Sequence, residues 1–263
     1  MNYYEEQFQE KYHYPVETKV QKTLIIASTV RSGSHMLGHA LHETGAFGFP
    51  LEYVNDKNLQ RWKQIFNTRT LGDTLAQIQK HRTSPNGVFG IKIHYSHLHQ
   101  FGGFDQLKHY FVNPSFVWLT REDMIAQAVS LSIAKQTGAW ISQQHIENES
   151  VTYDAKQIDE GLRRVIFENA SWQYALNASG SRFMHLNFTD VKLNTASVVR
   201  SIADFMQVEV DVANVPEKPV TKKQGKRINQ QWIEQFQQQF DGNTQLISLK
   251  NESLFRKLSR KFS

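Results

Sequence analysis

The sequence predicts an α/β fold, a single domain with a central parallel sheet flanked by helices, from three observations. Short apolar runs alternate along the chain with longer stretches of helical spacing, the order that strand–helix–strand units require. The first runs, Leu24 to Ala27, Val88 to His94 and Ser115 to Thr120, carry few polar side chains, which suits strands buried on both faces. Arg31, His94 and Arg121 then fall at or just past strand ends, and parallel sheets bind ligands at the carboxyl ends of their strands.

The first unit organises the others. Leu24, Ile25, Ile26 and Ala27 make a strand, Ser28 to Ser34 break it, and Met36, Leu37, Ala40 and Leu41 set a helix opening near Ser34, with Gly33 permissive at the turn. The backbone N–H groups of such a loop and of the first helical turn lack partners and attract a phosphate or sulfate. Arg31 adds a full charge and a bidentate donor. The loop is no Walker A motif, because the first glycine and the lysine of GxxxxGK[ST] are missing.

Thr44 to Tyr53, with two glycines and a proline, reads as a loop holding a short strand and Glu52. Asn58 to Arg82 suggests two helices through Trp62, Ile65, Phe66, Leu71, Leu75 and Ile78. Val88 to His94 delivers Lys92 and His94 near a strand end, and Arg121 follows the next strand. Asp123 caps a helix running to Trp140. Asp154 to Asn177 is a long amphipathic helix, Arg182 to Phe188 a fourth strand, and Thr195 to Met206 a further helix.

With 263 residues, 40% hydrophobic and 21% charged, the chain is sized for one well-cored domain over residues 1–263, and it shows neither a linker nor an internal repeat. No run of about eighteen apolar residues is present, and the first twenty residues lack a signal-peptide core, so a cytoplasmic protein is expected. Zero cysteines remove disulfides and thiolate chemistry. The eleven histidines form no HExxH pair, and His94, His97 and His99 read as loop histidines without a carboxylate partner, so no metal is expected. The net charge of +5 favours an anionic ligand or surface. The basic residues are scattered without an aromatic–basic pattern, which argues against nucleic acid. Residues 251–263 are the exception: Leu254, Phe255, Leu258 and Phe262 share one face of a basic amphipathic helix. That tail fits peripheral contact with the inner membrane face, contact with a second subunit as in a homodimer, or a last helix docked on its own domain.

With these pieces placed, the chain resembles the PAPS-dependent carbohydrate sulfotransferases of the bacterial trehalose 2-sulfotransferase-like family over roughly residues 22–235. Thr29-Val30-Arg31-Ser32-Gly33-Ser34-His35 is similar to that family's 5′-phosphosulfate loop, a P-loop-like element, with His35 departing from its last small polar position. Thr44 to Glu52 resembles the TGxxGxPxE segment whose glutamate is the family's proposed base, here Glu52. Val88 to Lys92 looks like the GVxGxK strand. Arg121 with Gln127-Ala128-Val129-Ser130 resembles the element for the 3′-phosphate, which Gln136-Thr137 and Trp140 continue. Lys223-Gln224 followed by Trp232 resembles the loop that closes over the nucleotide. Phe49 stands where the family's trehalose enzyme has a second acidic residue, and His94 where its strand lacks a histidine.

The resemblance implies PAPS as sulfuryl donor, no metal, and a carbohydrate or glycolipid hydroxyl as acceptor. Sulfuryl transfer needs in-line attack, a base, and positive charge on the leaving oxygen. Arg31, sharing the load with Lys92, supplies the charge; Ser32, Gly33, Ser34 and His35 the donor cradle; Arg121 and Ser130 the 3′-phosphate grip; and Glu52 the base. His94 competes as base, because Lys92-Ile93-His94 resembles the K-x-H spacing that carries a catalytic histidine in the related cytosolic sulfotransferases, and a neutral imidazole suits the task near pH 7. The rival readings are a phosphotransferase on a similar sheet, which would need a Mg²⁺ carboxylate, and a non-catalytic anion- or membrane-binding module.

Overall fold

The computed structural model describes residues 7–140, 150–213, 215, 227–240 and 246. Its centre is a four-stranded, all-parallel sheet of β1 (Lys22–Ser28), β2 (Val88–His94), β3 (Pro114–Thr120) and β4 (Phe183–Asn187), ordered β2-β1-β3-β4. β1 therefore lies inside the sheet, and the order reverses beside it. Register sets Ser28 opposite His94 on one side and Leu119 on the other, so the loops after these strands emerge along one edge.

Nine helices of four residues or more are seen among the described residues: α1 (Ser34–Glu43), α2 (Asp56–Phe66), α3 (Leu71–Arg82), α4 (Phe104–Leu107), α5 (Met124–Thr137), α6 (Ala155–Ala178), α7 (Phe188–Leu193), α8 (Thr195–Met206) and α9 (Arg227–Gln238). Alternation along β1 divides the core. Ile25 and Ala27 meet Trp62, Ile78 and Trp172 of α2, α3 and α6, whereas Leu24 and Ile26 meet Met36 and Leu37 of α1 with Val199 and Ile202 of α8. Ile91 and Ile93 join the first group, so Lys92 and His94 project from β2 to the α1 side. A third cluster joins α5, α6 and α9 through Ala128, Val129, Ile158, Trp232 and Phe236.

The sequence reading holds for the four strands and the paired helices after residue 56, with small differences at the ends. α5 stops at Thr137 and not Trp140, because Gly138 takes a left-handed cap with φ 71°. Asp123 and Asp154 cap α5 and α6 by accepting from Ala126 and Gln157 N–H. β4 ends at Asn187, whose side chain accepts from Thr189 N–H and starts α7, so Phe188 is helical. α9 is a helix that the sequence reading did not include. Lys223, Gln224 and the tail 251–263 lie outside the described residues.

The segment after α1 is laid against β2. Lys92 N–H donates to the Leu51 carbonyl at 2.9 Å, and Leu51 forms a single parallel bridge to Ile91 where a short strand was expected. Gly90 makes the close approach possible: a Cβ there would overlap the Phe47 carbonyl and stand 2.6 Å from Pro50 Cγ. Gly90→Ala is expected to destabilise the protein by about 1–3 kcal/mol through overpacking against backbone. A urea midpoint equal to that of the unsubstituted protein would show that this approach is not tight.

Candidate active site

After Ser28 the chain turns through Thr29 to Gly33 before α1 begins. Gly33 has φ 86° and Arg31 φ 60°. Glycine accepts such a value readily, but a long side chain holds it only where its surroundings over-determine it. Those surroundings stand on α5. Gln127 donates from Nε2 to Thr29 Oγ1 at 2.8 Å and to the Val30 carbonyl at 2.6 Å. Arg31 donates from Nε to Ser130 Oγ at 2.9 Å and from its terminal guanidinium to the Trp140 carbonyl. Gln127 and Ser130, three apart, thus share the helix face that braces the loop, while Ala128 and Val129 pack into the third cluster.

The loop shows two features of an anion site. Ser32 is fully buried and its Oγ has no hydrogen-bond partner among the described residues, a cost that an anion's oxygen would remove. Burial first, and the nearby Arg121 second, bring the Arg31 guanidinium down to about 10; burial likewise lowers Arg121, with Asp123 opposing. Anionic groups bound beside the two guanidiniums would relieve their repulsion. Phe188 supports both: its ring occupies the space where a Gly33 side chain would be, and the Arg121 guanidinium lies 5.3 Å from the ring centroid.

The second half of the site is built around Glu52. Lys92 Nζ is 3.1 Å and His94 Nε2 3.5 Å from its Oε2. His97 Nε2 is 3.3 Å from Oε1, and Asn55 Nδ2 donates to the same oxygen at 3.1 Å. Burial alone would push the Glu52 carboxyl up, but the charge of Lys92 first, and then the neighbouring rings of His94 and His97, outweigh it and hold the carboxyl well below the usual carboxylate range. His94 ties the halves together, its Nδ1 lying 3.0 Å from Ser28 Oγ. His35, in the first turn of α1, feels Lys92, Glu52 and Arg31 at once, and its Nε2 lies 3.1 Å from that of His39. Burial and then Lys92 drive its imidazole well below the ordinary histidine value, so it is neutral at pH 7.

The structure therefore gathers Arg31, Ser32, Gly33, Ser34, His35, Glu52, Lys92, His94, Arg121 and Ser130 at one edge of the sheet. Trp232 stands elsewhere, buried on α9 against α5 and α6. The histidines after β2 differ from expectation: His97 has Glu52 as carboxylate partner, and His99 has Asp56 at 3.3 Å. Asn55 and Ser28 were missed because a helix-capping asparagine and a strand-end serine look ordinary in a sequence; Phe188, on a helix distant in the chain, gave no signal. Among the described residues no group of three or more His, Asp or Glu side chains is arranged to hold a metal ion, and no helix is long and apolar enough to cross a membrane.

Comparison with known proteins gives the family. Among solved structures, the chain is similar to the sulfotransferase domain of the olefin synthase of Synechococcus PCC 7002, at 16% identity, covering 89% of this chain and 93% of that one with a TM-score of 0.47. It is also similar to the sulfotransferase domain from the curacin biosynthetic pathway, at 15% identity over 75% of this chain and 77% of that one, TM-score 0.47. A sulfotransferase from Alicyclobacillus acidocaldarius, 12% identical over 74% of this chain and 85% of that one, gives the same TM-score of 0.47. No curated protein sequence matches significantly. The decisive match is to a family model, that of the Stf0 sulphotransferases, over residues 23–239, which spans both halves of the site and most of the chain: the protein belongs to the Stf0 sulphotransferase family.

Proposed function

We propose that this sulfotransferase moves a sulfuryl group from PAPS to a hydroxyl of a carbohydrate or glycolipid. The observation that carries this reading is the facing of two halves: a loop with a buried, unsatisfied Ser32 hydroxyl and two guanidiniums, and a carboxylate fixed beside Lys92. PAPS supplies the activated sulfuryl group. The residues that would hold it are the backbone of residues 31–35 with Ser32 and Arg31 at the 5′ end, and Arg121 with Ser130 at the 3′-phosphate. Lys92 would share in neutralising charge on the phosphosulfate side.

Glu52 receives the acceptor's hydroxyl proton. Its side chain is 23% exposed, whereas that of His94 is 5% exposed with both ring nitrogens already facing Ser28 and Glu52. That contrast favours the carboxylate over the imidazole. A low proton affinity is tolerable in this role, because a loose transition state for transfer asks the base mainly to orient the hydroxyl until late in the reaction. Asp56, four residues after Glu52, meets His99 and Gln100 in an exposed polar group of the kind that suits an acceptor rich in hydroxyls.

Incubation with ³⁵S-labelled PAPS and a panel of free disaccharides, glycolipids in vesicles and lipopolysaccharide sugars tests the reading. Label is expected on a sugar hydroxyl of at least one of them. Label on a phenol or an amine and on no sugar would overturn the acceptor class, and absence of binding to 3′,5′-ADP would overturn the donor.

A further inference from the structure

We propose that His97 is a positioning residue for transfer, holding the Glu52 carboxylate in place by donating its one ring proton to Oε1. The inference rests on Glu52 being the group that takes the acceptor's proton. His97 sits on the 3₁₀ turn Tyr95–Phe101 that follows β2, and it is buried. Its Nδ1 accepts the backbone N–H of His94 at 3.3 Å. A ring nitrogen that accepts carries no proton, so in the neutral imidazole the proton is on Nε2. That nitrogen is the one 3.3 Å from Glu52 Oε1.

The arrangement divides the carboxylate between two kinds of partner. Lys92 and His94, from β2, bear on Oε2, while Oε1 meets, among the described residues, the neutral donors His97 and Asn55. Burial, and next His94, bring the His97 imidazole down to about 3 against the pull of Glu52, so it stays an uncharged donor across the working range. The same short stretch also couples the two sides: the N–H that sets the His97 tautomer belongs to His94, whose ring approaches Oε2. His35, from α1, is the further titratable group facing Glu52. Losing His97 would leave Oε1 to Asn55 and loosen the alignment of the carboxylate with the acceptor hydroxyl.

Two substitutions separate fixing the turn from fixing the carboxylate. In His97→Asn, the amide oxygen can replace Nδ1 as acceptor for the His94 N–H, but nothing reaches Glu52. In His97→Gln, the longer amide nitrogen can reach the place of Nε2. His97→Asn is expected to lower kcat about tenfold or more, the loss of a hydrogen bond to a charged group, with donor KM little changed. In the free protein, ¹³C NMR should show the Glu52 carboxyl titrating higher in His97→Asn than in the unsubstituted protein, with the resonance assigned by its loss in Glu52→Gln. His97→Gln should restore most of both. The proposal is overturned if His97→Asn leaves the Glu52 titration where it was, or if His97→Gln is the worse of the two. Because the titration needs neither donor nor acceptor, failure of the transfer reaction would appear separately, as an unsubstituted protein that transfers no label.

Discussion

Glu52→Gln is expected to lower kcat by about 10²- to 10⁴-fold, the usual contribution of general acid–base catalysis, while 3′,5′-ADP binds nearly as before. The glutamine keeps the shape and can still face Asn55 and His97, but it cannot take a proton. His94→Asn is the matched control and should cost less, since that ring is buried between Ser28 and Glu52. Single-turnover rates measured beside calorimetric binding decide it; if the histidine change abolishes transfer and the glutamate change leaves it near normal, the base has been misassigned. The pH profile adds a sign. Lys92 and the neighbouring imidazoles hold the Glu52 carboxyl low despite its burial, so the acidic limb of kcat/KM should lie below the ordinary carboxylate value of about 4.3 and disappear in Glu52→Gln. For stability the same lowering means that ionised Glu52 contributes fully above the ordinary carboxylate range, and the contribution is lost as pH falls through the lowered value.

Arg121→Ala should weaken binding of 3′,5′-ADP by about 1.5–3 kcal/mol, one charge-assisted contact, and leave ADP without the 3′-phosphate nearly unaffected. In the unsubstituted protein, ADP should bind correspondingly more weakly than 3′,5′-ADP. The expectation follows from Arg121 leaving β3 beside the loop, held over Phe188 and close enough to Arg31 to lower its proton affinity. Isothermal titration of both nucleotides against both proteins gives a double difference. Equal losses for the two ligands would remove Arg121 from the 3′-phosphate.

Local pattern determined much of this protein. The apolar runs at Leu24, Val88 and Ser115 read as buried parallel strands, and aspartates at 123 and 154 marked helix starts that the structure keeps. Loop residues Arg31 to His35 were legible because a strand, a small polar turn and a helix are adjacent in the chain and chemically unlike. Gln127 and Ser130 could be picked out as a motif, yet their work as a brace under Thr29, Val30 and Arg31 could not, since it depends on α5 lying across β1's loop.

What only the tertiary structure decided is the partnership around Glu52. In sequence, Glu52 is forty residues from Lys92, and His97 follows a strand that gives no hint of a carboxylate nearby. The parallel bridge of Leu51 to Ile91, admitted by the missing side chain of Gly90, brings the glutamate beside β2, and the turn after β2 folds His97 back onto it. Hydrophobic periodicity reports which face of an element is buried, whereas a proton's position depends on distances between side chains of elements far apart in the chain. The sequence therefore determined the strands, the anion loop and the residue types available for chemistry; packing against β2 decided that Lys92, His94, His97 and Asn55 all converge on one carboxylate.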